Sequence, residues 1–81
     1  MNGYIWRQRG EEGKVQAILL SGHSAILKEE VIGGAIRYCY RVYQREDGYD
    51  VLKQGGVSAD IRRAKYLAEE SLTEVLDGVY G

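Results

Sequence analysis

The chain has 81 residues, 44% of them hydrophobic and 28% charged, with 11 Gly, no Pro, one Cys and one His. That length predicts a single domain over 1–81 with a core of modest size, and a net charge of −1 neither demands nor forbids a polyanionic partner. One Cys excludes an internal disulfide and points to a reducing cytoplasm, no apolar run reaches the ~18 residues of a membrane span, and "MNGYIWRQRGEEG" lacks the apolar stretch of a signal peptide.

The first elements read as strands. "YIWRQR" (Tyr4–Arg9) pairs through "GEEG" with "KVQAILL" (Lys14–Leu20), which is expected to turn Val15, Ala17 and Leu19 inward. "SGHS" reads as a turn. Over Ser24–Ile32 two readings stand. One is a strand ending in a hairpin at Gly33-Gly34, which sets Val31 opposite Ile36 and Glu30 opposite Arg37. The other is a short helix capped by Ser24 and stopped by Gly33. The strand is preferred, although it puts Glu29 on the side of Tyr38.

Ala35–Arg45 ("AIRYCYRVYQR") follows as a strand rich in Tyr, Val and Ile. Ile36, Tyr38, Tyr40 and Val42 share one side, and Arg37, Cys39, Arg41, Tyr43 and Arg45 the other. "EDG" then closes a hairpin. A three-residue loop sets Val42 against Leu52 and Arg41 against Lys53. A two-residue Asp47-Gly48 loop would carry Lys53 to the buried side opposite Val42, so the longer loop is expected.

"SADIRRAKYLAEESLTEVLDG" reads as a helix with Ser58 as N-cap, Asp60 in the first turn and Gly78 as stop. Ile61, Ala64, Leu67, Ala68, Leu72 and Val75 fall on one face at helical spacing. The expected architecture is α+β: an antiparallel meander of three to five strands with this helix packed on one side. The side of the sheet bearing Arg37, Arg41, Tyr43, Arg45, Tyr49 and Lys53 then has nothing to cover it. Arg and Tyr are residue types that interfaces favour.

Catalytic constellations do not assemble. The lone His23 lies beside Ser21 and Ser24, but a triad draws its members from distant parts of a chain. Cys39 between two Arg invites a lowered thiol pKa, yet a partly buried strand cysteine accounts for it more simply. One Cys and one His make no zinc set. Glycine patterns for dinucleotides or phosphates do not occur. The expectation is a non-enzymatic protein with no cofactor and no metal.

"GGVSADIRRAKYLAEESLTEVL" resembles the end of a double-stranded-RNA-binding domain, where a strand and Gly-rich loop lead into a helix bearing a short Lys motif. The strand-strand-helix order also resembles the arm-binding domains of phage-type integrases. These resemblances imply nucleic-acid contact, the first with Arg62 and Lys65 on phosphate; Arg62, Arg63 and Lys65 at a helix N-terminus suit phosphate in any case. Against this, 11 basic residues are outweighed by 12 acids, and the pI is about 5.8, where nucleic-acid modules tend to be basic. A protein partner is therefore preferred over nucleic acid, and no membrane is expected. An adaptor or inhibitor fits, by analogy of size with phage and mobile-element accessory proteins. The helix's acidic outer residues Glu69, Glu70, Glu74 and Asp77 offer a second surface for a basic partner. A homodimer through stacked or edge-paired sheets is a further use of the arginine face.

Overall fold

The computed structural model describes residues 3–10 and 12–78. Five antiparallel strands in chain order form one sheet: β1 (Arg7–Arg9), β2 (Val15–Leu20), β3 (His23–Ile32), β4 (Ala35–Glu46) and β5 (Tyr49–Ser58). One helix, α1 (Ile61–Leu76), lies across the sheet against β3, β4 and β5. The α+β meander is thus as the sequence leads one to expect, and Ser24–Ile32 is strand. Glu30 pairs with Arg37, Val31 with Ile36 and Glu29 with Tyr38.

The β3–β4 and β4–β5 hairpins both close in two residues. Gly33 and Gly34 have φ of 61° and 81°; Asp47 and Gly48 have 53° and 84°. Positive φ at both loop positions is the geometry whose twist matches that of paired strands. Asp47 is the one non-glycine residue with positive φ among those described, and Asp tolerates that region better than most.

The β4–β5 register corrects the expectation of a three-residue loop. Glu46 pairs with Tyr49, Tyr43 with Leu52 and Gln44 with Val51, and beyond the bulge Val42 pairs with Gln54 and Arg41 with Gly55. Lys53 is the extra residue of a β-bulge between these two stretches. It does not face Val42, nor does it stand across from Arg41. The bulge takes Lys53 out of register with Val42 while leaving it on the helix side. Lys53 Nζ turns to Glu46 Oε2 at 2.6 Å, so the charge on the covered side is paired.

The core lies between α1 and one side of the sheet. Ile18, Ala25 and Val42 meet Leu72 and Val75, while Leu27 and Tyr40 meet Ala64 and Ala68. Ile61 and Leu67 pack at its margin. Burying a side chain such as Leu72 fully contributes roughly 1.5–3 kcal/mol. Gly56 sits beneath the ring of Tyr40; a Cβ there would fall 2.6 Å from the phenol oxygen. Small Ala64 and Ala68 on the helix and Gly56 on β5 thus make room for one large ring.

Two local expectations change. Helix α1 is capped by Asp60, whose carboxylate accepts from the Arg62 backbone N–H at 2.9 Å; the Ser58 hydroxyl accepts instead from the Asp60 N–H. And β1 is shorter than Tyr4–Arg9. Tyr4 and Trp6 leave the ladder and pack on the helix layer, Tyr4 Oη 2.8 Å from Thr73 Oγ1 and Trp6 Nε1 donating to Glu69 Oε2 at 2.7 Å. The "GEEG" turn includes Glu11, which lies outside the described residues.

Candidate interaction face

The uncovered side of the sheet follows from the pairing. Arg7, Ala17, Ile26, Arg41 and Gly55 form one cross-strand row; Arg9, Val15, Lys28, Cys39 and Val57 form the next; Leu19, Ser24, Tyr43 and Leu52 form a third. Glu30 with Arg37 and Arg45 with Asp50 complete it at either end. Side chains alternate along each strand, so every member of these rows projects away from α1.

This placement overturns the inward set expected for β2. Val15, Ala17 and Leu19 belong to the open side, and Ile18 and Leu20 to the covered one. Both rows of β2 are apolar apart from Gln16, so alternation could not tell them apart. The open side consequently carries an apolar strip as well as arginines. Leu19, Leu52 and Val57 keep 52%, 53% and 55% of their surface in solvent. An open depression of about 470 Å³ is lined by Arg9, Val15, Leu19, Ile26, Tyr43 and Asp50, among others.

Four of the six side chains expected on this face are there: Arg37, Arg41, Tyr43 and Arg45. Tyr49 and Lys53 are not. Tyr49 pairs with Glu46 and Lys53 sits in the bulge, both on the helix side. Leu52, expected beneath the helix, is on the open side. Arg7, Arg9 and Lys28 join the face through the registers of β1 and β3, which composition does not reveal.

The electrostatic result is a segregated molecule. Of 11 basic and 12 acidic residues, six basic (Arg7, Arg9, Lys28, Arg37, Arg41, Arg45) and two acidic (Glu30, Asp50) project from the open face, a net +4. Five basic and ten acidic remain, one of them, Glu11, outside the described residues. Arg45 is partly engaged, its Nε 3.1 Å from Asp50 Oδ1; exposed pairs of this kind contribute little.

Arg62, Arg63 and Lys65 lie on the other layer, at the start of α1. Lys65 Nζ stands 5.9 Å from the centre of the Trp6 ring, a cation–π arrangement. They therefore do not extend the arginine face into one basic surface. Glu69, Glu70, Glu74 and Asp77 follow on the same helix. Glu69 accepts from Trp6, Glu70 from Tyr66 Oη at 2.8 Å and Glu74 from Gln54 Nε2 at 3.2 Å. Glu70 holds the Tyr66 phenol above its ordinary pKa, by hydrogen bond and by charge.

Residues with catalytic potential are dispersed. His23 and Ser24 project from opposite sides of the sheet, His23 in the covered row of Gln44 and Ser24 in the open row of Tyr43. Cys39 is buried and free. Burial pushes its thiol above the usual value and Glu30 adds to that, while Arg41 and Lys28 pull weakly the other way. The arginines flanking it in sequence thus do not activate it. Among the described residues no group of three or more His, Cys, Asp or Glu could hold a metal ion, and no helix is long and apolar enough to cross a membrane. Set against protein-family models, curated proteins and solved structures, the chain matches none.

Proposed function

We propose that this chain is a non-enzymatic binding module whose open sheet face takes a protein partner presenting acidic and aliphatic side chains. The observation that carries this is the coexistence, on one uncovered surface, of half-exposed Leu19, Leu52 and Val57 with six basic residues and two acids. Half-exposed aliphatic side chains spread among arginines over one uncovered face suit the mixed apolar and charged surface of a protein partner. The net +4 then selects the sign of the partner and speeds encounter by steering.

Nucleic acid is the other polyanion such a surface would attract. Single strands bind sheets through rows of stacked aromatics, and with Tyr49 on the other side Tyr43 is the one aromatic of these rows. Leu and Val offer bases no comparable platform, and Arg62, Arg63 and Lys65 are a layer away. Protein is therefore the favoured partner.

The test is capture from the native host by the unaltered chain and by Arg9→Glu/Arg41→Glu/Arg45→Glu. The expected result is an acidic protein, identified and then shown to bind as a purified pair. It should be released by salt and lost with the triple variant. Retention of the same protein by the variant would overturn the reading. So would nuclease-sensitive capture, with random duplexes bound and a steep salt slope.

A further inference from the structure

The C-terminal half of helix α1 is charged against its own dipole. A helix is favoured by acids near its N-terminus and bases near its C-terminus. Asp60 caps the start with a carboxylate, but the first turn itself holds Arg62 and Arg63, and the last turn holds no base. From Tyr66 to Asp77 there are four acids and no base at all. Glu70 and Asp77 are exposed there, and Tyr66 and Leu76 keep 52% and 41% of their surface in solvent. Side-chain charge therefore reinforces the negative pole of the helix instead of cancelling it. A local rule broken in this way points to a use outside the helix.

The open sheet face, on the opposite layer, is the complement of that surface: net +4, with Leu19, Leu52 and Val57 to receive apolar side chains. We infer that the C-terminal half of α1 in one copy of this chain docks on the open sheet face of a second copy. The two patches differ, so the contact is head-to-tail and each added copy leaves one face and one helix free. Stacking two open faces would instead oppose two surfaces of like charge. The contact uses the face assigned above to a foreign partner and would mask it as concentration rises. It does not depend on that partner's existence.

Sedimentation velocity over a dilution series at low and high salt tests the arrangement. The weight-average mass should climb above the 9.1 kDa of one chain as concentration rises at low salt. It should fall back as added salt shortens the screening length below ~10 Å. Arg9→Glu/Arg41→Glu, which takes the face from net +4 to 0, should be monomeric throughout, and so should Glu70→Lys/Asp77→Lys, which leaves the four acidic positions of the helix with no net charge. All these positions are exposed, and unchanged circular dichroism confirms that folding is intact. A monomer at every concentration would overturn the inference, as would association that survives either variant. Partner capture is run at dilutions where the chain is monomeric, so a failure here leaves that result standing.

Discussion

The two sides of this sheet are built from similar aliphatic side chains and end in opposite situations. The covered side sets Ile18, Leu27 and Val42 under α1, each almost wholly removed from water. The open side sets Leu19, Leu52 and Val57 among arginines, each about half exposed. What separates them is small residues and charge. Ala25, Ala64, Ala68 and Gly56 let the helix come close on one side. On the other, Arg7, Arg9, Lys28, Arg37, Arg41 and Arg45 are spread across a face that no element of the described chain could cover without desolvating them. Hydrophobicity alone therefore does not define the core of this fold.

The contrast can be broken most directly by truncation. Leu72→Ala should cost about 2–5 kcal/mol in urea unfolding, because its site is closed on all sides. Leu52→Ala, of identical chemistry on the open side, should change stability by less than ~0.5 kcal/mol. Equal losses would show that the open side is covered in solution. Gly56→Ala comes next. A Cβ 2.6–2.8 Å from three atoms of the buried Tyr40 ring should cost about 1–3 kcal/mol by overpacking, and a neutral outcome would mean that the ring does not lie there. Lys53→Met should cost about 1–3 kcal/mol, since it takes the cation away from Glu46 Oε2, an atom shut off from solvent. A neutral outcome would mean that the ion pair does not hold this part of β5. The mildest probe is alkylation of Cys39. With its thiol raised in pKa by burial, it should react with iodoacetamide at pH 8 more slowly than a free thiol and recover the ordinary rate in urea. Fast labelling of the folded protein would place Cys39 outside the packed part of the open face.

The legibility of the sequence varies along the chain with how many constraints agree. At Gly33-Gly34 the turn chemistry, the Glu30–Arg37 pair and the alternation of β4 all point to one register, and that register is observed. At Asp47-Gly48 the turn chemistry favours two residues, while keeping Lys53 off the covered side favours three. Weighing the charge above the turn leads to the wrong partner for Val42. The protein keeps the two-residue turn and leaves Lys53 on the helix side as the extra residue of a bulge, its charge paired with Glu46, and bulges leave no mark in alternation. On β2, both rows are apolar, so Ile18 turns to the helix where Ala17 is expected, although Ala17 is itself fully buried. The arginine stripe of β4 is visible in the spacing of Arg37, Arg41 and Arg45. Its enlargement by Arg7, Arg9 and Lys28 is not, because that depends on long-range pairing. The helix is the most readable part: Ala64, Ala68, Leu72 and Val75 repeat at its natural period and are buried as expected.

Trp6 is the chain's only tryptophan, and it is wedged against α1 with its indole nitrogen on Glu69. Its fluorescence is therefore an optical reporter of a single layer. The emission should shift to the red when the helix lifts off or the protein melts, and stay constant when a ligand settles on the far side of the sheet. The molecule thus carries its own internal standard, able to separate loss of structure from occupancy in one titration.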